Sequence, residues 1–313
     1  MISILLPLRN GETTIVGTLE SLALQNTRID ELIILDDYST DSSLELAENF
    51  LDKNKIKYKI LRHKKCLGLA ASYNEGIELA KWSLIVTLHQ DVILEKDALK
   101  KLVEPFKDSQ VVASCHVVNH PLKVWEKYNF WEKVYFARLA GKKFSGLDGK
   151  FDCFRKEALK KTGMFDKKSF RTAGEDGDMI FKLKEIGRIV PTEAEIVHLH
   201  KIDDSFGLKD IIYKQAQYSE VQGVLLRKGR IRTIKEILRA FFREILILFL
   251  LLPYLHFLGL FLIAAYAVLY SKIIFFRENK NPRFLLIPFL NVVLLFVSLL
   301  YSVKGFIYGK QKL

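Results

Sequence analysis

Ile2-Ser3-Ile4-Leu5-Leu6-Pro7-Leu8-Arg9-Asn10-Gly11-Glu12 opens the chain, and Glu31-Leu32-Ile33-Ile34-Leu35-Asp36-Asp37 follows after one helical stretch. Each is a short apolar run that ends abruptly in polar residues, the pattern of a strand buried on both faces. Residues 13–24 between them carry helical spacing. The alternation continues outward, with residues 58–61, 83–88 and 111–115 reading as further strands. Residues 42–51, 69–80 and 95–106 read as helices, and Thr13 and Asp41 are placed to cap the first two helices. Strands alternating with helices predict parallel crossovers, and hence an α/β fold whose sheet is covered on both faces.

In open sheets of this class ligands lie beyond the carboxyl ends of the strands. Three polar clusters fall there: the turn from Pro7 to Glu12, the Asp36-Asp37 pair, and His89-Gln90-Asp91. No G-x-G-x-x-G follows the first strand and no G-x-x-x-x-G-K-[ST] occurs, so the usual glycine-rich phosphate cradles are absent. A phosphate ligand in this crevice needs another counter-charge, which a divalent cation on a carboxylate would supply.

Four blocks, in order, resemble glycosyltransferase family 2. They are Ile4-Leu5-Leu6-Pro7-Leu8-Arg9-Asn10-Gly11, Ile33-Ile34-Leu35-Asp36-Asp37-Tyr38-Ser39-Thr40-Asp41, Gly68-Leu69-Ala70-Ala71-Ser72-Tyr73-Asn74-Glu75-Gly76, and the group from Phe154 to Leu159 with Gly163-Met164-Phe165-Asp166 and Gly174-Glu175-Asp176-Gly177-Asp178. The likeness runs over about residues 1–200. It implies the GT-A nucleotide-diphospho-sugar transferase fold, with a mainly parallel central sheet. It implies donor contacts from Pro7, Asn10, Glu12, Asp36, Asp37, Asn74, His89, Gln90 and Asp91, with Asp37 on the nucleobase. Asp91 matches the last carboxylate of the family's Asp-x-Asp metal motif, and His89 stands where the first Asp would be. Asp176, in the Glu175-Asp176 pair, matches the catalytic base. His198 matches a late metal ligand, with His200 as its alternative. The cofactor implied is Mg²⁺ or Mn²⁺. The departure at His89 removes a hard oxygen ligand and leaves the choice of ion open. The chemistry agrees: a metal on Asp91 neutralises a leaving diphosphate, and Asp176 takes the proton of an acceptor hydroxyl.

The remaining residues describe a membrane protein. Residues 245–271 and 284–303 each reach the ~20 apolar residues that span a bilayer, with Pro253 and His256 inside the first and a basic turn at residues 277–283 between them. Residues 227–244 combine an apolar face with Arg232, Lys235, Arg239 and Arg243, the pattern of a helix lying among lipid headgroups. The expected organisation is therefore a catalytic domain at 1–226, an interfacial amphipathic helix at 227–244 (or one docked on the catalytic domain) and a transmembrane hairpin at 245–313, which the basic turn also allows to be shallow and re-entrant. The 48 Lys and Arg against 36 Asp and Glu give a net charge of +12. Basic residues flanking the apolar segments suit the cytoplasmic side, and no nucleic-acid-binding signature accompanies the charge. Three unpaired cysteines, Cys66, Cys115 and Cys153, and an opening without a secretory signal fit a cytoplasmic catalytic domain on a multi-pass protein of the cytoplasmic membrane. Trp125, Tyr128, Trp131, Tyr135, Phe136 and Leu139 form an aromatic face, read as a core stripe or as a surface for acceptor or membrane. Residues 141–149 read as a loop near the site.

The function expected is inverting transfer of a sugar from a nucleotide-sugar donor to a hydroxyl of a lipid-linked or cell-surface glycan. The alternatives are a polyprenyl-phosphate sugar synthase, whose anionic acceptor needs no base, and an inactive membrane scaffold. Donor sugar, acceptor and oligomeric state have no readable motif.

Overall fold

The computed structural model of the chain describes residues 1–171, 173–199 and 205–313. The chain divides into two compact units, one of Met1–Pro121 with Gly141–Lys201 and one of Leu122–Ala140 with Ile202–Leu313.

The first unit begins with β1 (Ile2–Leu8), α1 (Ile15–Ala23), β2 (Glu31–Asp36), α2 (Ser43–Lys53), β3 (Lys59–Arg62) and α3 (Leu69–Leu79). It continues with β4 (Leu84–Thr87), β5 (Val92–Leu94), α4 (Ala98–Val103) and β6 (Val111–His120). The chain then leaves for the second unit with α5 (Leu122–Trp125) and α6 (Phe130–Phe136). It returns through β7 (Lys142–Ser145), β8 (Cys153–Arg155), α7 (Lys156–Lys161), α8 (Glu175–Lys184) and β9 (Arg188–His198). One sheet runs β3-β2-β1-β4-β8-β6-β9-β5, with β7 on the end of β6. β1 pairs in parallel with β2 and β4, as do β2 with β3 and β6 with β9. β5, β7 and β8 are antiparallel to their neighbours.

Alternating residues of the inner strands feed two cores. Ile4, Leu6, Leu8 and Ile34 pack with α1, α2 and α4 on one face. Leu5, Ile33 and Leu35 pack with α3, α7 and α8 on the other. The apolar runs read from sequence are thus buried on both sides, as a parallel sheet requires.

Several local expectations change. Thr14, not Thr13, occupies the position before α1, its hydroxyl donating to Gly11 O. Asp41 does support α2, accepting from the backbone and hydroxyl of Ser43 at 3.0 and 2.5 Å. Residues 142–145 of the expected loop form β7 on the end of β6. The three-residue strands β5 and β8 are too short to carry a periodic signal.

The second unit is helical. It holds α5, α6, α9 (Leu208–Arg227), α10 (Ile234–Ala240), α11 (Phe242–Leu251), α12 (His256–Arg277) and α13 (Ile287–Tyr308). Within it the aromatic face of α5 and α6 is core: Trp125, Tyr128, Phe130 and Phe136 are buried with Ile211, Ile274, Ile287 and Leu290. The apolar stretch at 245–271 is not one helix. It ends at Leu251 and restarts at His256, with Tyr254 at φ 65. Pro253 lacks an N–H and its ring clashes with the preceding turn, which breaks the ladder there. The expected interfacial helix at 227–244 is shorter, with α10 opened by a Thr233–Glu236 capping box and α11 starting at Phe242. By length and composition, His256–Arg277 and Pro282–Tyr308 are each apolar enough to cross a membrane. The boundary expected at residue 226 and the division at Lys201 do not coincide, because α9 packs along α13 inside the second unit.

Asn74 ties the α3 core to the segment leading toward α8. Its amide accepts from Phe165 N and donates to Phe165 O, both at 2.9 Å, in a buried setting. Asn74→Ala orphans both backbone groups, at about 1–3 kcal/mol each. A clear fall in the denaturation midpoint is expected, and an unchanged midpoint would show that the contact carries no stability.

Candidate active site

The cleft is built from strand ends. At the end of β1, the Gln90 amide accepts from Arg9 N at 2.7 Å and donates to Arg9 O at 3.0 Å, locking the first turn to the end of β4. Asn10 Oδ1 accepts from Thr40 N at 2.9 Å and Glu12 Oε2 from Ser42 N at 3.3 Å, so both knit the β1 turn to the β2 turn. Pro7 lies inside β1 opposite Leu35.

At the end of β2 the two aspartates differ. Asp36 is fully buried, accepts from Ser39 N at 3.1 Å and meets Arg62 at 3.2 Å. Asp37 holds the next loop. His63 Nδ1 at 2.9 Å and Leu67 N at 2.7 Å share one oxygen. Cys66 Sγ at 3.3 Å and Gly68 N at 2.9 Å share the other. Burial would raise this carboxyl, but the Leu67 N–H, His63, Gly68 and Cys66 outweigh it and hold the pKa below its ordinary value. Four partners fill the four acceptor positions of a carboxylate, so Asp37 reaches a ligand through the loop it shapes. Gly68 sits there at φ +90, and a Cβ would lie 2.7 Å from Arg171 O. Asn74, with its amide on Phe165, likewise positions the chain.

His89, Asp91 and His198 come together. β5 pairs antiparallel with β9, placing Val92 opposite His198, and Leu199 N donates to Asp91 O at 2.7 Å. His198 Nε2 then lies 3.1 Å from Asp91 Oδ2. His89 is lowered to about 4 by burial, which outweighs the pull of Asp91. It is therefore neutral at pH 7, and its buried Nε2 has no hydrogen-bond partner among the described residues. An uncharged imidazole with an unused nitrogen beside a carboxylate and a second imidazole is a donor set that suits a divalent metal. His200, the alternative ligand, lies outside the described residues.

Sequence reasoning missed the wall opposite. Residues 148–152 run along the end of β4, with His89 N donating to Lys150 O and Thr87 N to Asp152 O, both at 2.9 Å. Asp152 is fully buried and accepts from Asp148 N, Gly149 N and His116 Nδ1 at 3.0, 2.6 and 3.0 Å. Asp148 lies 3.4 Å from His116 Nε2 and 2.6 Å from Lys150 Nζ. Tyr73, buried on α3, donates to Gly149 O at 3.1 Å. Ligand atoms of His116, Asp148 and Asp152 fall within 4.8 Å of one another, close enough to hold a metal ion. These residues share no spacing pattern; only the β6–β8 pairing brings them together.

Glu175 and Asp176 occupy the first turn of α8, where the helix dipole favours acids. Burial still dominates. It pushes Glu175 up to about 7, with the Asp176 charge adding to it. It pushes Asp176 up to about 6, opposed by the Gly177 N–H and by Lys150 and reinforced by Asp148 and Asp152. Asp176 thus shares the field of the loop that His89 also feels. The cleft assembles a carboxylate poised near neutrality, a candidate metal set and a lysine.

The family model for glycosyl transferase family 2 matches residues 3–163, just over half of the chain. A poly-beta-1,6-N-acetyl-D-glucosamine synthase of Staphylococcus epidermidis is 28% identical over 177 residues, covering 53% of this chain and 42% of that protein. A Haemophilus influenzae protein described as an uncharacterized glycosyltransferase is 36% identical over 101 residues, covering 32% of this chain and 40% of that one. The match thus spans less than half the length of these relatives. Among solved structures, the mannosyltransferase PcManGT of Pyrobaculum calidifontis, in complex with GDP-Man and Mn²⁺, aligns with 99% of this chain and 88% of its own, at a TM-score of 0.60 and 14% identity. GalNAc-T7 with UDP, GalNAc and Mn²⁺ aligns with 71% of this chain and 50% of its own, at a TM-score of 0.52 and 15% identity. At these identities the likeness is one of fold, the GT-A fold implied by the sequence blocks.

His116 is the imidazole of the cleft that its neighbours hold toward the charged form. Burial would lower it, but the charge and hydrogen bond of Asp152, with Asp148, raise it above its ordinary value. A raised folded-state pKa gives stability that is full below about pH 6.5 and lost as pH climbs through the folded value. His116→Ala leaves Asp152 buried without its cation, at about 3–5 kcal/mol. Urea unfolding at pH 6 and pH 8.5 should show the wild type losing more stability on alkalinisation than His116→Gln. Equal losses would remove the ion pair from the account.

Proposed function

Because the chain belongs to glycosyl transferase family 2, we propose that it is an inverting glycosyltransferase, moving a sugar from a nucleotide-diphosphate donor to a hydroxyl of a lipid-linked or cell-surface glycan at the cytoplasmic face of a membrane. The observation that carries this reading is the Glu175-Asp176 pair, held near neutrality by burial beside Asp148 and Lys150. A carboxylate tuned toward the working pH suits a general base. An acceptor that is already an anion would not need one.

In the proposed reaction the ionised Asp176 carboxylate takes the proton of the acceptor hydroxyl. The hydroxyl oxygen forms its bond to the anomeric carbon as the bond to the donor diphosphate breaks, and the electron pair leaves with the diphosphate. One displacement from the opposite face inverts the anomeric centre. Glu175, raised by burial and by the Asp176 charge, stays protonated while Asp176 ionises, so the pair carries one negative charge. His89, Asp91 and His198 would hold a divalent cation, whose chemistry here is to neutralise the leaving diphosphate. The turn held by Asn10, Glu12 and Gln90, with Pro7 before it, would cradle the donor. Asp36 and Asp37 would shape its nucleobase pocket through residues 63–68. PcManGT and GalNAc-T7 are recorded with Mn²⁺ and with GDP-Man or UDP, which supports a nucleotide-sugar donor and a divalent ion here. Two imidazoles in the set favour Mn²⁺ over Mg²⁺.

For the base, kcat/KM should rise with pH through about 6 and level off as Asp176 ionises. Asp176→Asn should lower transfer about 10²–10⁴-fold and flatten that limb, with nucleotide affinity nearly unchanged. Wild-type turnover in the variant would point to a phosphate acceptor. For the metal, excess chelator should abolish transfer and Mn²⁺ should restore it better than Mg²⁺. The Mn²⁺ electron paramagnetic resonance signal of the nucleotide complex should weaken in His198→Ala and His89→Ala. Full activity in chelator would end the metal assignment.

A further inference from the structure

The second unit carries information about its own orientation in a lipid environment. Its apolar outer surface lies on α12 and α13, where Phe261, Leu269, Phe276 and Phe289 are 68%, 66%, 77% and 73% exposed. A simple hairpin would put the α12–α13 turn across the membrane, opposite the catalytic side. The contacts of that turn disagree. Glu278 pairs with Lys133 of α6 at 2.8 Å, and Arg277 lies over the Trp125 ring of α5 at 5.9 Å. Phe206, just before α9, accepts from Asn129 at 3.1 Å and packs on Tyr135. The turn therefore sits at the end of the helical unit where α5, α6 and the start of α9 also lie.

From that end α9 and α13 run side by side in the same direction. Ser219 meets Ser298 at 3.0 Å, and Arg227 donates to Phe306 O at 2.9 Å. The two backbones are close enough that a Cβ on Gly223 would strike Ser302 O and one on Gly305 would strike Glu220 O. If α13 crossed a bilayer, α9 would cross with it. α9 carries Lys214, Gln215, Gln217, Glu220 and Gln222 through its middle, a polar load that is rare in a spanning helix even where part of it faces a neighbour. Such a crossing would also carry Arg227, Lys228, Arg230, Arg232, Lys310 and Lys312 to the far side, against the preference of basic residues for the cytoplasm.

We propose that the second unit lies in the plane of one leaflet. The exposed apolar faces of α12 and α13 enter the acyl region, and α9 with its basic flank stays at the headgroups of anionic lipid. This rests on the membrane placement proposed above, and it replaces two crossings by none. Polar groups of α13 meet its polar neighbour α9: Ser298 lies 3.0 Å from Ser219 and Lys304 3.5 Å from buried Glu220, while Ser298 and Ser302 also donate to Glu244 of α11 at 2.7 and 2.8 Å.

The test reads depth, so it is independent of sugar transfer. Full-length protein in a Cys66→Ser background, where Cys115 and Cys153 are buried, carries a fluorophore at Phe261→Cys, Leu269→Cys or Phe276→Cys. It is placed in vesicles of phosphatidylcholine and phosphatidylglycerol brominated at shallow or deep acyl positions. An in-plane helix gives the same shallow-to-deep quenching ratio at all three positions. A spanning helix gives shallow quenching at Phe261 and Phe276 and deep quenching at Leu269, which overturns the proposal. Absence of quenching at every position also overturns it, because the face then meets no lipid. In oriented vesicles, an impermeant maleimide should reach Lys280→Cys and Lys310→Cys from the same side as Lys53→Cys. Labelling of either from the opposite side alone is fatal to the in-plane reading.

Discussion

A buried histidine between two aspartates organises the candidate cleft. His116 and Asp152 are both fully buried, a setting in which either charge alone would be costly. Paired at 3.0 Å they can remain, and the second oxygen of Asp152 then gathers Asp148 N and Gly149 N. That one carboxylate fixes the course of residues 148–152 along β4. Through the loop it sets where Lys150 and Asp148 stand, and hence the field felt by His89 on one side and Asp176 on the other. Breaking the pair would disturb the field at both His89 and Asp176.

The parallel half of the fold was legible because it is written in runs. β1, β2 and β4 are buried on both faces, so their residues form unbroken apolar strings with polar ends, and the ends are where Asp36, Asp37 and Asp91 stand. The antiparallel half was not. β5 and β8 are three residues each, yet β8 brings Asp152 to His116 and β5 brings Asp91 to His198. Motif positions also do not reveal which polar atoms are free. Asp37 and Asn74 stand where sugar transferases place donor contacts, but their oxygens and amide are taken up by Leu67, Gly68 and Phe165. Occupancy of lone pairs is a property of three-dimensional neighbours, and no spacing rule encodes it.

The helical unit shows the same limit in hydropathy. A window average treats residues 245–271 as one apolar span, whereas Pro253 removes a donor and splits it into α11 and α12. It treats α9 as an ordinary soluble helix, whereas much of its polarity is turned inward onto Ser298, Lys304 and Arg243. Length and composition can say that α12 and α13 are long enough to cross a bilayer. Which neighbour each drags with it is decided by close packing, here by Gly223 and Gly305.

Two constellations in the cleft have the ligand chemistry of a metal site, and protonation separates them. A metal needs deprotonated ligands with unused lone pairs. At His116, Asp148 and Asp152 the imidazole is held toward its charged form, Asp152 is already an acceptor for three donors, and Asp148 is engaged by Lys150. A cation entering there would have to expel a proton and displace the bonds that fix the loop. Burial lowers both histidines; Asp152 and Asp148 overcome it at His116, whereas at His89 it outweighs the pull of Asp91. His89 is neutral, its Nε2 is uncommitted among the described residues, and its backbone is already pinned by Lys150 O. The pair at the heart of the fold is therefore assigned a structural part, and the proposed ion is assigned to the strand ends, where the departure from two aspartates would supply an imidazole nitrogen in place of a carboxylate oxygen.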